Sequence, residues 1–366
     1  MITIFISSEH TYTWSTYLAA HGDSLASRVE FIPYGEKVDV RSIPAGTVIF
    51  TDLERLVLGH KRAAIKVHRE ISRQRPDITL INSPQNSLLR YDLLSVLKEA
   101  DVNRFRVYRA DQDWSGARFP VFVRIADDHG APRTKLLYNA ADVESEIRAL
   151  TGFRWEGLFS RKRKSNSDSA ASPEKRSSAR LDISLPKDNS LMGRLCRIRR
   201  RLQRPKDIVV CEFIDTSDAN GLYHKYGAFV VDGRIVPAHL WFSENWVVKF
   251  GSSRQEPEYC QRELDYIRDN PHAKLLQRVC ELANIQYGRI DYSVDSMNRI
   301  AVWEINTNPV VVPYISNPEI ADKREPSHEL FAIAFNEALR NLPWKPREGV
   351  EAARLDQPVH QHLLSA

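Results

Sequence analysis

Residues 288–309 read GRIDYSVDSMNRIAVWEINTNP. Two runs rich in β-branched and aromatic residues, 287–294 and 299–305, flank the Asp-Ser-Met-Asn of a tight turn, so the pattern predicts a β-hairpin. Side chains alternate across a strand, which puts Arg289 and Asp291 on one face and puts Glu304 and Asn306 together at the end of the second strand. Ile290, Tyr292, Val302 and Ile305 are left for the packed side. Two carboxylates and a carboxamide oxygen make a hard-oxygen set of the kind magnesium accepts while keeping other oxygen ligands. Arg289, next to them, is placed to hold a phosphate. The competing reading is a solvated hairpin with surface charges; the apolar partners and the Asn308-Pro309 turn weigh against it.

Around this hairpin lies an ordinary globular composition. The chain has 366 residues, 42% of them hydrophobic, enough for a sizeable core and two or three domains or subdomains. No apolar run reaches the roughly 18 residues a membrane helix needs, and MITIFISSEHTYTW at the N-terminus lacks a basic region leading into a long apolar stretch. No membrane association and a cytoplasmic location are expected. Cys196, Cys211, Cys260 and Cys280 are widely spaced with no C-x-x-C pair, which points to neither zinc nor a disulfide framework.

The net charge of +5 is unevenly spread. Residues 161–206 hold 15 basic and 4 acidic residues, a local +11, leaving −6 for the rest. Within them SRKRKSNSDSAASPEKRSSAR has too little apolar content to fold and reads as a disordered insertion. LMGRLCRIRRRLQR follows, with Leu191, Leu195, Ile198 and Leu202 on roughly one face of a basic helix. A solvated helix, a contact for nucleic acid, protein or membrane headgroups, and a cover over an acidic substrate all remain open.

Toward the N-terminus, residues 2–6 (ITIFI), 46–52 (GTVIFTD) and 78–81 (ITLI) read as buried strands, with helical stretches at 13–20 and 54–74. Strands alternating with helices imply a parallel sheet. Leu88, Leu89, Leu93, Leu94 and Leu97 recur at helical spacing after a Ser-Pro turn. FPVFVRI (119–125) reads as a strand followed by the polar turn DDHGAPRTK, a short strand at 136–138 and a helix at 141–150. IVVCEFID (208–215) is an apolar strand that turns polar at Glu212. Residues 226–231 and 234–239 form a second hairpin turned at Asp232-Gly233. Helices are expected at 257–268, 272–283 and 326–342, and a loose tail after them.

The Arg-x-Asp strand followed by a Glu-x-Asn strand end resembles the C-terminal signature of the ATP-grasp superfamily, which includes D-alanine:D-alanine ligase, glutathione synthetase and the glutamate-adding peptide ligases. The resemblance covers about residues 75–315, broken by the basic insertion. It implies that Asp291, Glu304 and Asn306 ligate magnesium on ATP phosphates and that Arg289 stabilises the transferring phosphoryl group. Where such strands often continue into Pro-Gly, this chain has Pro309-Val310. By the same resemblance Arg90 and Arg124 stand at positions usually held by nucleotide-binding lysines, Arg124 preceding a mobile loop with a single glycine, Gly130. An arginine keeps the charge and adds a bidentate fork. Glu212 matches the hinge glutamate beside adenine, and Lys225 and Lys249 flank the hairpin that follows, within reach of phosphate or a substrate carboxylate.

The implied fold is α/β, with α+β character in the grasp: an N-terminal parallel-sheet pre-ATP-grasp domain (1–112), then a two-subdomain ATP-grasp fold. Residues 113–210 form its small subdomain, with the insertion near 160–205, and 211–345 its C-terminal subdomain with the magnesium site; 346–366 are a flexible tail. The implied activity is ATP- and magnesium-dependent joining of a small-molecule or peptide carboxylate to an amine through an acylphosphate. A small-molecule kinase, or a weakened ATP-binding module with a basic docking insertion, are the alternatives.

Overall fold

In the computed structural model, residues 1–128, 130–151, 204–312, 315 and 317–343 are described. The basic insertion, its helix and the C-terminal tail expected from the sequence lie outside them.

The first unit is a parallel sheet of β1 (Ile2–Ile6), β2 (Val29–Pro33), β3 (Gly46–Phe50) and β4 (Ile78–Ile81), in the order β2-β1-β3-β4. Every residue of β1 and β3 is buried, as expected for central parallel strands covered on both faces. Alternation divides them cleanly. Ile2, Ile4, Ile6 and Ile49 join Trp14 and Tyr17 of α1 (Tyr12–His21), whereas Phe5, Val48 and Phe50 join Ala64 and Ile71 of α2 (Leu58–Gln74). β2 is not anticipated by the sequence reading: VEFIP is a short, half-buried edge strand ending in proline. α3 (Arg90–Glu99) then buries Leu93, Leu94 and Leu97.

A small antiparallel sheet follows, in the order β5-β7-β6, built from β5 (Val107–Arg109), β6 (Val121–Ile125) and β7 (Ile208–Glu212). It takes in β5 from the N-terminal side of the boundary expected at 112 and Glu212 from beyond that expected at 210. The strand expected at 136–138 is reduced to a single bridge between Val121 and Leu137. Val121, Val123 and Val210 pack against α4 (Ala140–Thr151) through Val143. On the other face Phe122, Val209 and Cys211 meet Phe105 and Ala301.

The third unit is an antiparallel sheet, β11-β10-β8-β9, of β8 (Tyr223–Val231), β9 (Arg234–Ser243), β10 (Tyr287–Val294) and β11 (Ile300–Asn306). Positive φ at both Asp232 (47°) and Gly233 (81°) makes the β8–β9 connection the tight primed turn that Asp-Gly favours. α5 (Pro257–Asp269) brings Tyr266 to Tyr226 and Tyr292 on one face. α6 (Ala273–Ala283) adds Leu276 and Val279 to the same core cluster. On the other face Phe229 meets Phe331 and Phe335 of α7 (Pro318–Arg340), and Tyr287 stacks on Trp14. α7 begins eight residues before the expected Pro326, which it carries inside its span.

Two buried asparagines fix the β10–β11 hairpin against the preceding units. Asn82 donates from Nδ2 to the carbonyls of Phe50 and Tyr287, both at 2.9 Å, and accepts at Oδ1 from the amides of Gln286 (2.9 Å) and Tyr287 (3.0 Å). Asn103 pairs in the same two-way manner with the backbone of Val302, at 3.0 and 2.9 Å. Asn82 thus uses both donors and both acceptor positions of its amide and Asn103 one of each, and together they set the hairpin's depth and angle.

Candidate active site

Pairing of β10 with β11 sets Asp291 opposite Glu304 and Arg289 opposite Asn306, with Ile290 opposite Ile305 and Tyr292 opposite Val302. Strict alternation would send Val302 and Ile305 to opposite faces. A bulge between the Asp291 and Tyr292 pairs leaves Trp303 as the extra residue and returns both to the packed side. The four polar residues therefore do share one face, as the sequence implies.

That face borders a cleft between the small sheet and the C-terminal sheet, with a cavity of about 100 Å³. One end is apolar, built from Phe122, Phe213, Ile214, Trp246, Val248 and Trp303. Trp246 meets Phe122 at 5.0 Å and stands edge-on to Phe213 at 5.8 Å between ring centroids. The other end is charged: Arg124, Lys225, Lys249, Asp291 and Glu304. None of the aromatic wall residues is singled out by the sequence motifs, because their convergence depends on two sheets meeting.

Asp291 is the hub of the charged end. Arg289 Nε donates to its Oδ1 at 2.8 Å, and Lys225 Nζ lies 2.6 Å from its Oδ2. Burial alone would raise the Asp291 carboxyl, but Arg289 and Lys225 outweigh it and hold it well below the usual carboxylate range. Lys225, half-buried in this nest, is lowered by desolvation, against the pull of Asp291. Read from sequence as one of two flanking lysines, it is central, whereas Lys249 is an exposed residue on the rim.

Arg124 shares a face of β6 with Phe122, and its Nη2 donates to the carbonyl of Asp128 at 2.9 Å. Its Nε is buried with no hydrogen-bond partner among the described residues. Gly130, Ala131 and Pro132 of the following loop line the cleft, so the strand, arginine and loop stand together as the sequence implies.

Two residues expected at the nucleotide stand away from the lining of this cleft. Arg90 does not line this cleft: it is 7% exposed, its Nη1 donates to the carbonyls of Ala126 (2.5 Å) and Asp128 (2.7 Å), and its Nη2 forms an ion pair with Glu304. It is committed to carbonyls and a carboxylate, and so ties the loop base to the hairpin. Glu212 faces away, because alternation along β7 puts it with Val210 on the α4 side while Cys211 and Phe213 face the cleft. Its carboxylate is filled by the Arg118 backbone and guanidinium (2.9 and 2.8 Å) and by the Arg106 amide (2.9 Å). Burial raises Glu212, yet these donors bring it below its ordinary value.

The donor set suits magnesium by its chemistry: Asp291, Glu304 and the Asn306 amide oxygen are hard ligands. Asn306 Oδ1 accepts from the Asn308 amide at 2.9 Å, which fixes the rotamer. Among the described residues no group of three or more His, Cys, Asp or Glu converges on a point, so the amide is needed to complete the set. Glu304 also borders a second, smaller cavity toward the N-terminal sheet, lined by Glu54, Leu88, Arg90, Asp127 and Thr307 among others.

No family model and no curated protein matches the chain. Among the described residues no helix is long and apolar enough to cross a membrane. Solved structures do match. D-alanine–D-alanine ligase from Bacillus anthracis complexed with ATP is 14% identical at a TM-score of 0.45, over 93% of this chain and 96% of that one. D-cycloserine synthetase is 14% identical at 0.46, over 93% and 100%. L-amino acid ligase from Bacillus licheniformis is 10% identical at 0.39, over 93% and 74%.

Proposed function

We propose that the protein is an ATP-dependent ligase that joins a carboxylate to an amine. The observation that carries this reading is the cleft's polarity: an aromatic-walled slot suited to a base at one end, and at the other Arg124, Lys225 and Lys249 around the Asp291–Glu304 pair, with Arg289 behind Asp291. Such a site holds a triphosphate with its reactive end over the carboxylates. Bound magnesium, held by Asp291, Glu304 and Asn306, would neutralise phosphate charge.

In the proposed reaction a substrate carboxylate oxygen bonds to the γ-phosphorus as the bond to ADP breaks. The amine nitrogen then bonds to the acyl carbon as phosphate leaves, and the amine gives up a proton. No side chain needs to form a covalent intermediate. The cations offset charge on the phosphoryl oxygens, which is where most of the catalysis in such transfers resides. Arg90 holds Glu304 and the two asparagine clamps hold the β10–β11 hairpin, so positioning is built into the fold. The smaller cavity on the far side of Glu304 is where a small-molecule acceptor would approach.

The test is to screen amino acids, peptides and amines against candidate carboxylates for magnesium-dependent release of both ADP and phosphate. Release of ADP alone, with phosphate retained on the product, would instead mark phosphorylation of a hydroxyl. No ADP from any mixture, from a protein that also binds no nucleotide at millimolar concentration, would end the proposal.

A further inference from the structure

His239 belongs to none of the motifs, yet it completes a row across the C-terminal sheet. Strand register places Glu304 opposite Asp291, Asp291 opposite Gly227, and Gly227 opposite His239. All four lie on the face that carries the charged end of the cleft. The imidazole folds across the place where a side chain at 227 would stand: a methyl there would come within 2.1 Å of His239 Cε1 and 2.4 Å of Nε2. Gly227 has no left-handed φ to explain its lack of a side chain. Its role in this row is to make room for the ring.

The ring is fixed and incomplete. It stacks on Trp241 at 3.9 Å between centroids with a 12° interplanar angle. His239 is 6% exposed, and its Nε2 is buried without a hydrogen-bond partner among the described residues. A buried nitrogen left this way is costly and calls for an explanation such as a ligand. The charged groups acting on it are Arg289, Asp291, Lys225 and Arg324; burial first, then Arg289, hold the imidazole well below its ordinary pKa and therefore neutral. A neutral imidazole can still donate one N–H, and where Arg289 and Lys225 outnumber Asp291 the fitting acceptor is an anion.

We propose that His239 is an oxyanion-binding residue of this cleft, its Nε2–H donating to a phosphate or carboxylate oxygen seated beside Asp291, with Gly227 as the space that lets the ring reach it. The inference rests on reading the cleft as a phosphoryl-transfer site, and its two oxyanion sources are the terminal phosphoryl group and the substrate carboxylate. The experiment uses full-length protein, wild type and His239→Phe, His239→Gln and Gly227→Ala, each checked for folding by circular dichroism. Affinities for magnesium–ADP and for magnesium with the β,γ-imido analogue of ATP are measured by calorimetry.

If the phosphoryl group is the ligand, His239→Phe and Gly227→Ala weaken the analogue about tenfold or more with ADP within about twofold, and His239→Gln recovers part of the loss. If the carboxylate is the ligand, nucleotide affinities hold and KM for the carboxylate rises about tenfold at nearly constant kcat. Folded His239→Phe protein with unchanged nucleotide affinities and unchanged KM overturns the proposal. Should wild-type protein bind no nucleotide, the ligase reading fails separately, and the His239 Nε2 resonance in histidine-labelled protein decides this one: a shift on adding inorganic phosphate supports it, and an unmoved resonance overturns it.

Discussion

Glu263 and Asp291 are both buried carboxylates that meet arginine, and they differ in what else they face. Glu263 on α5 is closed on itself: Arg324 Nη1 of α7 lies 2.5 Å from one oxygen and the amide of Leu240 on β9 3.1 Å from the other. Burial pushes it up to about 7, with Arg324 pulling the other way. Asp291 has two cations for one carboxylate, Arg289 and Lys225, and opens on the cleft. A structural pair uses its charges up; the pair at the cleft leaves positive field over, which is what an incoming phosphate requires. Charge count and direction, more than burial, separate the two.

That contrast is open to direct attack by removing one cation from each region. Arg324→Met strands Glu263 in the core and should cost about 3–5 kcal/mol of stability, read by chemical denaturation, while the folded fraction keeps its affinity for magnesium–ATP within about twofold. Lys225→Met leaves Arg289 on Asp291, so stability should move by less than about 1 kcal/mol, but turnover should fall about a hundredfold, equivalent to ~3 kcal/mol in the transition state. Glu304→Ala and Asn306→Ala should lose at least as much turnover. If Lys225→Met proves the more destabilising and Arg324→Met the less active, the assignment of roles is reversed.

The N-terminal sheet offers a smaller test of the same electrostatics. Asp52 is fully buried and held at about 2: burial raises it, but His10, the Ser7 amide and Arg55 together win. Its folded pKa is depressed, so the stability it contributes is present above its ordinary value near 3.8 and is lost as pH falls through about 2. That contribution is roughly 2 kcal/mol at neutral pH. Asp52→Asn should remove it and flatten the acid limb of the stability curve without altering turnover at pH 7. Smallest is Gly233→Ala in the β8–β9 turn, where φ of +81° should cost about 1 kcal/mol in thermal stability.

Much of this was legible in the chain because local patterning decides it. The apolar runs of β1 and β3, the Asp-Gly turn and the Arg289–Asn306 hairpin each carry their own signal over a few residues. β2 and β5 escaped because short edge strands owe their existence to pairing partners remote in sequence. Glu212, expected beside adenine by its match to a hinge glutamate, has its side chain on the face of β7 opposite Phe213, as counting along the strand from Cys211 and Phe213 shows. Arg90 sits on the helix the sequence predicts, but only the tertiary approach of the 126–128 loop reveals that its guanidinium is already used. His239 needed the register between β8 and β9: the one sequence hint is a glycine opposite a histidine two residues from a tryptophan. Trp303 could have been found, since Val302 and Ile305 can share a face only if a residue between them bulges.

The central claim is that the Asp291–Glu304–Asn306 edge and its cations form the phosphate end of an ATP site. Calorimetric titration of magnesium–ATP into purified wild-type and Asn306→Ala protein tests it most directly. Saturable binding in the micromolar to millimolar range, weakened about tenfold or more by removing the Asn306 amide and by chelating magnesium, is the predicted result. Absence of any heat of binding at millimolar ATP in the wild type, or binding indifferent to both changes, would contradict it.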